Sequence, residues 1–228
     1  MKKIFLIFCL ISIWTASAGQ QLGLQFGKSI SNFKFTDSNG SELEGLQKTD
    51  NFFMTLDYRQ GIMFDTFKGN MYMNLGLGYN RYGSSGSDVV LYNSYSWDVT
   101  YLGLNLGLDY MFYRNRSLLL FAKISASPEF LIHGSQNLNN QIISLTGEED
   151  FESPIFFFRG GLALQFQISD EASVFIQYMG GKSYNFNGNA EKLNILAHNV
   201  GFGIIFNLIK DPYQTEWRGN RKKIKSPE

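Results

Sequence analysis

The stretch "NVGFGIIF", Asn199 to Phe206, sets Val200, Phe202, Ile204 and Phe206 against Asn199, Gly201 and Gly203. Apolar residues at every second position are the period of a strand with one apolar face. The pattern runs on to Asn207 and Leu208, and it recurs upstream. Leu102, Leu104, Leu106, Leu108, Tyr110 and Phe112 alternate with Gly103, Asn105, Gly107 and Asp109. Phe156, Phe158, Leu162, Leu164, Phe166 and Ile168 oppose Arg159, Gly161, Ala163, Gln165 and Gln167. Weaker copies begin near Gln21, Asn51, Met71, Leu118 and Ser173, giving about eight strands in all. Aromatic residues make up 16% of the chain, glycine is frequent and proline scarce, a mixture that favours strands. The expectation is an all-β, eight-stranded antiparallel up-and-down barrel.

Period two does not say whether the apolar face looks inward or outward, so the polar face decides. A water-facing surface would be rich in Lys and Glu. This one carries mostly Gly, Asn, Ser and Gln with a few charges of both signs, which suits the crowded interior of a small barrel with lipid outside. Short turns near "DTFKGN", "YRNRS" and "SDEAS" alternate with longer segments at 36–50, 84–95, 134–153 and 185–194, as periplasmic turns alternate with outer loops in a transmembrane barrel. Tyr79, Tyr82, Trp97, Tyr101, Tyr110 and Phe112 lie near strand ends, where interfacial girdles would sit. Lys28 shares the parity of Leu22, Leu24, Phe26 and Ile30. A lysine facing mid-membrane lipid costs about 2–4 kcal/mol, so it calls for a bulge near Gly27, snorkelling, or a different register of the first strand.

The ends divide the chain. Residues 1–18, with Lys2, Lys3, an apolar run from Ile4 to Trp14 and the small residues Ala16 and Ala18, read as a signal peptide for export. The run is too short to span as a helix. Cys9, the only cysteine, lies within it and follows Phe8 instead of the small residue a lipoprotein signal needs, so no disulfide and no lipid anchor is expected. Residues 19–209 form the barrel. Residues 210–228 form a basic tail, "KDPYQTEWRGNRKKIKSPE", which an even strand count returns to the periplasm beside the N-terminus. There Trp217, Arg218, Arg221, Lys222 and Lys223 could contact lipid phosphates or an acidic partner. The formal net charge of zero suggests no nucleic-acid partner.

With these features in place, "NVGFGIIF" resembles the assembly signal on the last strand of outer-membrane barrels. Asn199 stands at the polar position, Gly201 at the glycine, and Ile204 with Phe206 at the final apolar pair. The region from Gln21 to Ile209 resembles the small PorT-like and OmpX-like outer-membrane barrels, although many relatives end at the signal's last aromatic. The resemblance implies an outer-membrane location, contact with outer-membrane lipids and lipopolysaccharide, and membership of an envelope protein complex serving secretion, motility or adhesion. It implies no cofactor and no catalytic residue.

Chemistry-bearing candidates are few. Some outer-membrane barrels are lipid A deacylases, which this chain is similar to in "HGSQ", with His133, Ser135 and the nearby Glu148 and Glu149. A serine hydrolase needs an imidazole beside the serine and a carboxylate that orients it, all on the lipid side. Counting along the strand puts His133 on the lumen parity, so a polar strand end is expected instead. His198 is read as an interfacial histidine. Glu148, Glu149, Asp150 and Glu152, like Asp37, Glu42, Glu44 and Asp50, lack the spacing of a calcium loop and read as solvated anionic loops, with no metal site. The inward parity carries Asp57, Arg59, Asp109, Lys123 and Arg159 with Gln165 and Gln167. Buried charges must pair, so Arg159 and Lys123 are expected to meet Asp57 or Asp109, with Gly76, Gly103, Gly107 and Gly161 making room. The expected function is therefore a non-enzymatic barrel with a plugged lumen. A lipid A-modifying enzyme is the alternative and a small pore a weaker one.

Overall fold

A computed structural model describes residues 17–36, 45–62, 70–88, 93–115, 117–139, 141–147, 153–184 and 192–209. Every element among them is a strand: β1 (Ser17–Thr36), β2 (Gln47–Ile62), β3 (Met71–Asp88), β4 (Asn93–Arg114), β5 (Leu118–Leu138), β6 (Gln141–Ser144), β7 (Ile155–Gln167), β8 (Ala172–Tyr184) and β9 (Lys192–Asn207). The order is β4-β3-β2-β1-β9-β8-β7-β5, and β4 also pairs with β5, so the sheet closes into an eight-stranded antiparallel barrel. The short β6 adds a hairpin to the end of β5 outside the closed ring. β1 begins two residues inside the leader boundary drawn from the sequence, because Ser17 and Ala18 still pair with Ile62 and Gly61. Residues 1–16 and the tail 210–228, with Trp217, Arg218, Arg221, Lys222 and Lys223, lie outside the described residues.

The opening octet closes the barrel. β9 runs antiparallel to β1 from Thr36↔Lys192 to Gln21↔Asn207, and on its other edge it pairs with β8. Closure leaves no unpaired ladder edge around the ring, the condition for a sheet to lie in lipid. The apolar parity points outward: Leu77 is 52% exposed, Leu106 51%, Leu162 58% and Phe202 53%, as are their neighbours on every barrel strand to a similar degree. On the opposite parity Gln25, Ser29, Asn74, Asp109, Gln165 and Asn199 are buried. The surface is thus apolar and the interior polar, the reverse of a water-soluble barrel.

Several expectations change. Tyr82 and Tyr101 are not girdle residues: they are 0% and 1% exposed and fill the lumen, with Trp97 packed beside them. Tyr79, Tyr110 and Phe112 do face outward. Lys28 keeps the outward parity with no bulge at Gly27, and the irregularity in β1 lies between Ala18 and Gln20 instead. Its ammonium pairs with Asp50 of β2 at 3.2 Å, and both side chains are exposed. Strands also run well into the segments expected as loops: β3 reaches Asp88, β4 starts at Asn93, and β6 lies inside 134–153.

Candidate functional site in the lumen

The terminal end of the barrel, where β1 begins and β9 ends, is filled by Tyr72, Met111, Leu119, Phe121 and Ala163. Above this plug the Arg59 guanidinium lies against two of its rings, 4.4 Å from the Tyr72 centroid and 4.3 Å from that of Phe121. Its Nε is 3.0 Å from Asp109 Oδ2, and Nη1 donates to Gln21 and Gln165 at 3.3 and 3.2 Å. The same Asp109 oxygen is 3.5 Å from Lys123 Nζ, while Asn74 donates to Asp109 Oδ1 at 2.9 Å. Lys123 donates to Gln177 at 2.8 Å, and Gln177 to Gln25 at 3.0 Å. One buried carboxylate therefore serves two cations, and side-chain amides of three further strands, β1, β7 and β8, accept from the guanidinium and the ammonium.

A second layer lies towards the distal end. Glu129, fully buried, receives Asn80 at 3.1 Å, Ser127 at 3.0 Å, Tyr82 at 2.9 Å and Arg159 at 2.5 Å. Arg159 also donates to Ser127 at 2.7 Å and to the Tyr82 hydroxyl at 2.6 Å, so both hydroxyls relay between the charges. Its guanidinium sits 3.9 Å over the Phe157 ring, which stacks on Tyr82. Beyond it, Phe33, Val99, Tyr101, Leu145, Ile155, Ile195 and Ala197 form a second apolar cluster with Tyr82 and Phe157.

Between the layers is a cavity of about 50 Å³, lined in part by Gln25, Asp57, Asn105, Lys123 and Asn199. A smaller one of about 30 Å³ lies nearer the terminal plug, by Gly23, Phe121 and Phe175. At roughly 10–15 Å³ per water, each has room for a few molecules. The Gln25 amide nitrogen and the Asn199 amide oxygen are buried without a protein partner, and both residues line the larger space.

The structure brings Arg59, Asp109 and Lys123 together, but Arg159 meets Glu129, not Asp57 or Asp109. Asp57 has no ion-pair partner within 4.0 Å among the described residues; its carboxylate lies over Gly76, where a Cβ would overlap it. Gly107 likewise makes room for Asn74, and Gly103 for Glu129. Glu129 was missed in the sequence, yet a signal existed: counting by twos from Lys123 through Ser125 and Ser127 arrives at it. Pro128 lies within that run. In the fold it leaves the β5–β7 ladder continuous and only interrupts β4–β5 pairing between Gly103↔Glu129 and Leu106↔Ala126, where proline has no N–H to give.

Of the assembly-signal residues, Asn199 and Gly201 face the lumen, while Ile204 and Phe206 face outward. His133 is a correction. A bulge between Thr100↔His133 and Tyr101↔Leu131 shifts the parity, so His133 is exposed on the outer side and not in the lumen. No hydrogen bond joins it to Ser135 among the described residues, and Glu148 and Glu149 lie outside them. No group of His, Cys, Asp and Glu fit to hold a metal ion occurs among the described residues.

No family model matches the chain, and no curated protein matches it in sequence. Among solved structures it is similar to Ail, the attachment invasion locus protein of Yersinia pestis, at 14% identity over 83% of this chain and 99% of that one, with a TM-score of 0.39. It is also similar to Neisserial surface protein A, at 10% identity over 82% and 97% with a TM-score of 0.42. The outer membrane protein AlkL matches at 12% identity over 84% and 91%, again with a TM-score of 0.42. Similarities of this size concern general architecture and carry nothing about ligands.

Proposed function

We propose that the protein is a non-enzymatic outer-membrane β-barrel that acts as a structural or accessory subunit of an envelope assembly, related to secretion, motility or adhesion. What supports this reading is an outward apolar belt on all eight barrel strands together with a lumen that holds an apolar cluster towards each end, which we read as closing it. A transport pathway would need a continuous wet channel, whereas here Arg59 and Lys123 pair with Asp109, and Arg159 with Glu129, across the middle of the barrel. Such an interior stabilises a rigid cylinder and leaves the rim, outer wall and tail for contacts. On this reading both termini face the periplasm, because three connections and both strand termini share one end of the barrel. The tail from Lys210 then presents Trp217, Arg218, Arg221, Lys222 and Lys223 to a periplasmic partner or to lipid phosphates.

The protein should fractionate with the outer membrane and migrate differently in detergent gels before and after boiling; recovery as a soluble periplasmic protein would sink the location. Purified protein in planar bilayers should give no steady conductance. A reproducible open channel would replace the structural reading with a pore, and lysate-independent release of fatty acid from lipid A would replace it with an enzyme.

A further inference from the structure

The outer wall of the barrel is lined almost throughout by large apolar side chains, but Gly160 of β7 and Gly180 of β8 face each other across one outward row. A Cβ on Gly160 would meet nothing nearer than 3.9 Å, and one on Gly180 nothing nearer than 3.5 Å. The missing side chains leave a shallow dent in the wall. His198 of β9 stands opposite Gly180 at its edge, and the Tyr178 hydroxyl is 2.7 Å from His198 Nδ1 with the two rings stacked. This bond engages Nδ1 of an imidazole that is exposed. Lys182 lies two residues beyond Gly180 on β8, and Lys28 of β1 flanks His198 on the other side, since Ile30 pairs with His198 and Lys28 with Val200. Asp50, paired with Lys28, is the one acid on this face among the described residues. Below the dent the wall continues as Phe26, Val200, Phe202 and Ile176, all exposed.

We propose that this face is a binding site for one phosphorylated lipid of the surrounding leaflet. The phosphate would be held by Lys182, Lys28 and the His198 Nε2, with the headgroup over Gly160 and Gly180 and the acyl chains along the apolar wall beneath. Apolar wall directly continuous with cations selects a lipid over a free anion, because a free anion gains nothing from the wall. The inference rests on the membrane reading above for its setting. Its test uses purified protein, so its failure leaves the location, judged by fractionation, untouched.

The experiment is a native mass-spectrometry titration of the full chain in nonionic detergent with bisphosphorylated lipid A, the same lipid dephosphorylated, and inorganic phosphate. One copy of the phosphorylated lipid should bind about tenfold more tightly than the dephosphorylated one. Lys28→Gln with Lys182→Gln should remove most of that difference, and Gly180→Ala, whose Cβ comes no nearer than 3.5 Å to His198 and Tyr178, should weaken binding several-fold. Arg81→Gln with Asp98→Asn, altering an outward ion pair on β3 and β4 across the barrel, should change nothing. Equal binding of both lipids, or unaltered binding to the Lys28/Lys182 and Gly180 variants, would overturn the site. Displacement of the lipid by millimolar inorganic phosphate would overturn the choice of a lipid as its source.

Discussion

Replacing Arg159 by Ala is the sharpest test of the distal ion-pair layer. The change removes the cation 2.5 Å from Glu129, two hydrogen bonds to the relay hydroxyls, and the stacking on Phe157. Breaking a buried pair from one side costs about 3–5 kcal/mol, since the remaining charge keeps its desolvation penalty. Glu129 is not stripped bare: Asn80, Ser127 and Tyr82 still donate to it, which puts the electrostatic part near the lower limit. Lost cation–π contact adds about 0.5–2 kcal/mol. The expected loss is about 3.5–5 kcal/mol, the lower limit of the first range plus the second. Urea-dependent unfolding in lipid vesicles measures it, with Trp97, packed against the distal plug, as the fluorescent reporter. A double variant, Arg159→Gln with Glu129→Gln, removes both charges and should cost about 2 kcal/mol less than the sum of the single ones. A loss below about 1 kcal/mol for Arg159→Ala, or strict additivity in the double variant, would refute a coupled buried pair.

Adjacent glycines should behave oppositely. A Cβ on Gly161 would overlap the Tyr178 carbonyl and come within 2.8 Å of Met179 Cα, so Gly161→Ala should cost several times more stability than Gly160→Ala, which faces open space; equal urea midpoints would contradict the packing. Asp57→Asn should change stability by about 1 kcal/mol or less, because the carboxylate lacks an ion-pair partner within 4.0 Å, and a loss as large as that of Arg159→Ala would show that Lys123 belongs to Asp57 and not to Asp109. Deleting the tail after Lys210 should leave heat-modifiable barrel at its normal level while weakening periplasmic crosslinks; unchanged crosslinks would refute tail docking.

The barrel was legible in the sequence wherever lipid faces one parity, because lipid accepts little but apolar side chains while the lumen accepts anything that packs. β4, β7 and β9 show this in their middles, where Leu104, Leu162 and Phe202 oppose Gly103, Gly161 and Gly201. The signal fails in two ways. Beyond the belt the outward parity turns polar, as at Ser85 and Ser87 on β3 and Ser94 and Ser96 on β4, so strand looks like loop and the expected segment 84–95 proves to be mostly hairpin. At the ends of the lumen the inward parity turns apolar, as at Phe121 beside Leu120 or Phe157 between Phe156 and Phe158, and the period vanishes into a continuous run. Tyr82 and Tyr101 were misread as girdle for the same reason: an aromatic at a strand end suits an interface and a plug equally well.

The lumen chemistry was legible one residue at a time and not in its pairings. Parity along a strand says which charges enter the interior, but strand tilt and stagger decide which of them share a level, and that depends on the register of all eight strands together. Arg59 on β2 reaches Asp109 on β4, two strands away, whereas Arg159 and Glu129 sit on neighbouring strands where Pro128 pairs with Phe156. Had Arg159 met Asp109, three cations would have crowded one carboxylate and Glu129 would have been buried alone beside Tyr82, at a cost of several kcal/mol. The observed division gives each layer its own acid, with a cavity of about 50 Å³ between the layers. It also leaves Asp57 outside both layers, held over Gly76 and lining both cavities. Lys123 and Arg59 line the same cavity as Asp57, so the carboxylate is offset by cations that make their shortest contacts elsewhere, which is why its removal is expected to cost so little.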